Sequence, residues 1–80
     1  MNRKLSAYLE INNFSKIDNV DGYRYVDEEA TIEVIKVGTK YIVRLETSQR
    51  FDVSKIEYFE YTGWTDIVDF VEGVFNYEVY

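Results

Sequence analysis

The chain has 80 residues with no cysteine and no histidine, and its 46% hydrophobic and 18% aromatic content favours one folded domain spanning residues 1–80. Its formal charge of −6 disfavours direct binding to nucleic acid, because contacts to phosphates need Lys and Arg. No run of about 18 apolar residues and no signal-peptide pattern is present, so we expect a cytoplasmic protein without a membrane span.

The first segment, residues 4–17, fits two structures. Apolar residues at alternate positions from Leu5 to Ile11 are typical of a strand, while Leu5, Tyr8 and Leu9 also fit one face of a helix. Because Ile11 lies off that helical face, we favour a strand.

The middle of the chain predicts an antiparallel sheet. A turn cluster at residues 18–22 precedes a short strand at 23–27. Alternating and β-branched residues then predict strands at 31–37 and 40–46, and Gly38-Thr39 between them fits a two-residue type II′ turn. The remaining strands are expected at 51–61 and, briefly, at 77–80.

One helix is predicted at residues 65–75, with Thr65 as its N-cap and Asn76 after its last turn. Its apolar residues recur on one face, which we expect to pack on the sheet. The fold class is therefore α+β: an antiparallel sheet of four to five strands with one main helix near the C-terminus on one face. The expected core contacts join Ile67, Phe70, Val71 and Val74 of the helix to Ile32, Val34, Val43 and Leu45 of the sheet.

Catalysis is poorly supported, since the chain lacks His and Cys and its four glycines form no phosphate loop. The only candidate for a metal is residues 18–22. Aligning Gly22 with the glycine of a calcium loop puts Ile17 at the first ligand position, where it cannot coordinate. We expect no enzyme activity, no cofactor and no metal, and a plain turn at this position.

Charge is segregated along the chain. Residues 56–80 hold six acids and no base, whereas residues 1–55 hold nine of each. Eight of the fourteen aromatics also lie in residues 56–80, and aromatic rings are favoured at interfaces. These acids are either a solvated face or a surface that binds a partner. The candidate partner-binding residues are Glu57, Glu60, Tyr61, Trp64, Asp66, Asp69 and Glu72.

Small acidic proteins without cysteine are typical of phage and mobile-element inhibitors, including DNA mimics of the anti-CRISPR or anti-restriction type. We therefore expect an inhibitor that occupies the basic groove of a nucleic-acid-binding enzyme, with Tyr61 and Trp64 as apolar anchors beside the acids. The alternative is a non-catalytic structural or regulatory adaptor that forms a homodimer through strand edges and exposed aromatics.

Overall fold

Five strands that follow one another in the chain form one antiparallel sheet, with a helix before it and a helix after it. The structure is a computed structural model that describes residues 1–48 and 53–77. The sheet order is the chain order, β1-β2-β3-β4-β5. The predicted α+β class is confirmed. The elements are α1 (Arg3–Ile11), β1 (Ser15–Lys16), β2 (Gly22–Val26), β3 (Ala30–Val37), β4 (Lys40–Ser48), β5 (Ser54–Tyr61) and α2 (Trp64–Tyr77).

The predicted hairpin at the centre of the sheet is confirmed. Strands β3 and β4 pair along their whole length, from Ala30 opposite Thr47 to Val37 opposite Lys40. Gly38 has a φ of +62°, which a hairpin turn of two residues requires at its first position and which glycine adopts without strain.

The strand predicted within residues 4–17 is wrong, because most of that segment is helix α1. Asn2 caps the helix: its Oδ1 accepts hydrogen bonds from the N–H groups of Lys4 at 2.8 Å and Leu5 at 3.2 Å. Leu5 and Leu9, four residues apart, are fully buried, whereas Ile11 is 80% exposed. The alternation of apolar residues therefore treated Ile11 as an inward residue, although it points outward. In the described residues two helices, rather than the one predicted, pack on the sheet.

Helix α2 is longer than predicted at both ends. It begins at Trp64, so Thr65 lies inside its first turn rather than capping it. It also continues through Asn76 to Tyr77, since asparagine lowers helix propensity without breaking the backbone hydrogen bonds. Of the last predicted strand, Tyr77 is helical, and residues 78–80 lie outside the described residues, as do residues 51–52 of the strand predicted before it.

Both helices pack on the same face of the sheet and form one core with it. Ile67 and Val71 of α2 are fully buried, as predicted. Phe70 and Val74 pack against this core while partly exposed, and so does Leu45. Phe70 also lies 5.0 Å from the ring of Phe59, measured between centroids. The fully buried residues of this core are Leu5, Leu9, Ile32, Val34, Val43, Ile67 and Val71.

The turn between β2 and β3 is built around Asp27. Its Oδ1 accepts hydrogen bonds from the N–H groups of Glu29 and Ala30, both at 2.7 Å, and its Oδ2 accepts one from Tyr25 Oη at 2.8 Å. Burial acts to raise the pKa of the Asp27 carboxyl, but these hydrogen bonds outweigh it and hold the pKa below its ordinary value. The ionised carboxylate therefore stabilises the turn.

Truncating the core residue Ile67 should destabilise the fold far more than truncating an exposed isoleucine. Ile67→Ala should lower the free energy of unfolding by about 2–5 kcal/mol, because it removes buried methyl groups and leaves a cavity. The matched control, Ile11→Ala, should stay within about 0.5 kcal/mol of the parent. Urea denaturation of the three proteins measures both values, and equal losses would contradict the assigned helix faces.

Replacing Asp27 should weaken the fold at neutral pH and have a smaller effect in acid. Asp27→Asn removes the charge and the acceptor for Tyr25, so the free energy of unfolding should fall by about 1–2 kcal/mol. Because the folded pKa is lowered, this contribution exists above the unfolded pKa of about 3.9 and is lost as the pH falls through the folded pKa. Urea melts from about pH 7 down to about pH 3 should show the two proteins converging. A constant difference would assign the effect to shape rather than charge.

Candidate functional site

Three carboxylates form a row on the exposed side of α2. Asp66, Asp69 and Glu72 are exposed, while Ile67 and Val71 on the opposite side of the helix are buried in the core. Residues three apart on a helix are surface neighbours, with Cβ atoms about 5–6 Å apart. No Lys or Arg follows position 55 in the sequence, so no base within α2 neutralises the row.

The two candidate acids of β5 lie on opposite faces of the sheet, because side chains alternate along a strand and 57 and 60 differ by an odd number. Glu57 is opposite Leu45, on the face that the helices cover. Its carboxylate lies 3.4 Å from Lys55 Nζ. It is the strand acid on the same side of the sheet as the helical row. Because Lys55 pairs with Glu57, we use the name acidic surface for the helical row alone: Asp66, Asp69 and Glu72.

Glu60 does not join the acidic surface. It pairs in register with Ile42 on the face of the sheet away from both helices. Its carboxylate lies 2.6 Å from Lys40 Nζ, and this hydrogen bond raises the pKa of Lys40. Glu60, one of the predicted partner-binding residues, therefore lies apart from the helical acids, since side-chain alternation along β5 places it on the other face of the sheet.

The two rings predicted as apolar anchors for a partner are only partly exposed. Tyr61 and Trp64 are half-buried and pack against the core. The Tyr61 ring lies 6.0 Å from the ring of Phe70 and 6.5 Å from that of Phe59, between centroids. Tyr58, which is not among the predicted partner-binding residues, is the most exposed aromatic among the side chains that the structure describes, at 67%. It lies on the face opposite the acidic surface.

A residue of α1 holds one carboxylate of the acidic surface. Tyr8 Oη donates a hydrogen bond of 2.7 Å to Glu72 Oε1. Burial raises the pKa of the Tyr8 hydroxyl, and the hydrogen bond and the negative charge of Glu72 raise it further. The sequence carries no signal for this contact, because the two residues are 64 positions apart.

The described part of the chain offers neither a metal site nor a membrane span. It holds no group of three or more His, Cys, Asp or Glu side chains that could bind a metal ion. Asn19, in the turn cluster checked for calcium, has a φ of 67°, a left-handed conformation that asparagine adopts in turns. Among the same residues, neither helix has the length and apolar content to cross a bilayer.

Removing the Tyr8 hydroxyl should loosen the contact between the two helices. Tyr8→Phe should lower the free energy of unfolding by about 1 kcal/mol, the net value of one hydrogen bond. Because the folded pKa of Tyr8 is raised, this contribution is fully present below the unfolded pKa of about 10 and is lost as the pH rises through the folded pKa. Thermal melts at neutral and alkaline pH check this. Combining Tyr8→Phe with Glu72→Ala should give less than the sum of the two losses, and strict additivity would show that the bond contributes nothing.

Comparison with known proteins assigns this chain to no group. No family model matches it, and no curated protein or solved structure matches it either.

Proposed function

We propose that this chain is a small non-catalytic inhibitor that binds a basic protein through its acidic surface, in place of nucleic acid. The observation that carries the proposal is the exposed row Asp66, Asp69 and Glu72, on a helix with no neutralising base. The target would be a nucleic-acid-binding enzyme in the cytoplasm. The proposed class is the DNA mimic of phage or mobile-element type, such as an anti-CRISPR or anti-restriction protein.

The spacing of the row suits a groove built for phosphates. Carboxylates three residues apart on a helix recur every 5–6 Å or so, a scale similar to that of phosphates along one DNA strand. Lys and Arg side chains that bind phosphate oxygens can donate to carboxylate oxygens in the same way, and Arg can do so with two parallel hydrogen bonds. The acidic surface would thus occupy the cations that the target uses for nucleic acid.

The fold presents these charges on a rigid support. Ile67 and Val71 fix α2 in the core, and the hydrogen bond from Tyr8 restrains Glu72. A preorganised row loses little conformational entropy on binding, which leaves more of the electrostatic attraction as affinity. Trp64, half-exposed at the start of the same helix, can add apolar contact area that charge alone does not supply.

An enzymatic role is not part of this proposal. The chain has no His and no Cys, the commonest general base and the most reactive nucleophile. Among the described residues, the pKa of Lys40 is raised by its hydrogen bond to Glu60, and the pKa of Tyr8 is raised by burial and by its hydrogen bond to Glu72. These contacts organise surfaces and do not assemble a reaction centre.

The second candidate function is an adaptor that acts by self-association. The observation that favours it is a set of exposed apolar side chains on the face of the sheet away from the helices, Tyr58 and Ile56 among them. Salt separates the two functions. Binding of the acidic surface to a basic protein should weaken steeply as salt rises, whereas apolar association should change little.

Reversing the helical charges should abolish binding to the basic partner. The partner is first captured from a bacterial lysate with the parent protein and identified by mass spectrometry. Asp69→Lys with Glu72→Lys should then weaken its affinity by roughly a hundredfold or more at low salt, because attraction becomes repulsion at the centre of the contact. The parent, unlike this variant, should also displace DNA from the captured protein in a gel-shift assay.

The matched control is Glu28→Lys with Glu29→Lys, which makes the same change in net charge at two exposed residues of the turn between β2 and β3. It should keep nearly the parent affinity. Equal losses in both variants would show that only total charge matters. Parent-like affinity of the helical variant would refute the proposed inhibitor and leave the acids as a solvated face.

A further inference from the structure

The face of the sheet opposite the helices, which we call the open face, is rich in exposed apolar side chains. Val26, Val37 and Ile56 are 64%, 59% and 46% exposed, and Tyr58 also lies here. Several apolar side chains exposed together on one sheet face are typical of a surface that a partner covers, whereas single ones are not.

The charges of the open face are balanced and paired. Arg24 binds Glu33 at 2.6 Å, Arg44 lies 3.4 Å from Glu33, and Arg44 binds Glu46 at 2.9 Å. Together with the pair formed by Lys40 and Glu60, the described residues of this face include three bases and three acids. The face is therefore neutral, in contrast to the acidic surface, so a second neutral face can lie on it without bringing an excess of like charge into direct contact.

We propose that the open face binds a second copy of this chain, face to face, about a two-fold axis that runs along the strands between β3 and β4. Such an axis lays β3 on β4 of the second copy and β2 on β5. Strand register then decides which side chains meet. One row across the sheet contains Arg24, Glu33, Arg44 and Tyr58 in that order.

The two-fold axis lays this row on the same row of the second copy in reverse order, which places unlike groups opposite each other. Glu33 faces Arg44 of the second copy, and Arg24 faces the ring of Tyr58, an arrangement that suits a salt bridge and a cation–π contact. Each contact occurs twice because of the symmetry. An axis across the strands would instead stack Glu33 on Glu33, so the chemistry of the row selects the axis along them.

The neighbouring rows match apolar groups under the same operation. The row that contains Ile35 and Ile42 places these two side chains opposite each other across the interface. The row on the other side places Val26 opposite Ile56 at its ends and Thr31 opposite Glu46 between them. Each neighbouring row thus adds apolar contacts beside the charged ones: Ile35 with Ile42 on one side, and Val26 with Ile56 on the other.

The small area of the open face indicates a weak dimer. Four strands about 4.8 Å apart and about eight residues long at 3.3 Å per residue give a face of about 500 Å². Two such faces bury about 1,000 Å², the lower end for specific association. The dimer should therefore be weak and dependent on concentration. Both acidic surfaces point away from this interface, so the dimer leaves the proposed inhibitor site free.

Complementary charge variants test the geometry. Sedimentation velocity over a wide range of protein concentration should show the parent passing from monomer to dimer. Arg44→Glu alone and Glu33→Arg alone should each weaken dimerisation at least roughly tenfold, since each puts like charges face to face. Their equimolar mixture should recover dimers, because one face then carries acids at both central positions and the other carries bases. Circular dichroism verifies that each variant is folded.

Cross-linking provides a measurement that does not alter the central charges. Arg24→Cys and Tyr58→Cys lie on β2 and β5, which two strands separate within one chain. A mixture of the two single variants should be joined by a short bismaleimide, whereas Asp69→Cys in place of Tyr58→Cys should not. A parent that stays monomeric, a charge mixture that recovers no dimer, or equal cross-linking of the Asp69 control would each overturn the proposal.

Discussion

The structure depends on burial on one side of the sheet. Both helices cover the same face. In β4 and β5 the residues at odd positions therefore pack inward, as Val43 and Phe59 do, whereas in β3 the residues at even positions do, as Ile32 and Val34 show. This constraint also fixes the acidic surface, because the side of α2 that packs on the sheet leaves the opposite side, with its carboxylates, in water.

The sequence predicted best those features that depend on neighbouring residues. The hairpin at Gly38 and the apolar stripe of α2 each depend on residues that are close in the sequence, so the local pattern was enough to predict them. Helix α1 was missed because Leu5 and Leu9 fit a strand and a helix equally, and the cap at Asn2 that decides between them precedes the pattern. For the candidate site, the segregation of charge in the sequence identified Asp66, Asp69 and Glu72, but the face of Glu60 needed the strand register, and that register depends on pairing across the sheet.

The two sides of the molecule treat charge in opposite ways. On the open face every described acid lies beside a base, as Glu33 does between Arg24 and Arg44. On α2, Asp66 and Asp69 stay hydrated without a basic neighbour on the same helix. Paired charges in a partly buried setting give geometric specificity more than stability, whereas unpaired ones set up a field that attracts cations from a distance. The open face is thus suited to recognition by shape and pairing geometry, and α2 is suited to attraction by charge.

These two properties reinforce each other if both surfaces are occupied. A face-to-face pair carries its two acidic surfaces on opposite outer sides, so one dimer can contact two basic molecules or two sites of one assembly. Linking two weak sites raises the effective affinity without any new contact, provided that the geometry allows both to engage. Salt would act unequally on the two proposed interfaces: it would screen the outer acids, while the proposed apolar contacts of Ile35 with Ile42 would hold the pair together. Raising the salt would therefore release the basic partner first and leave the dimer of this chain.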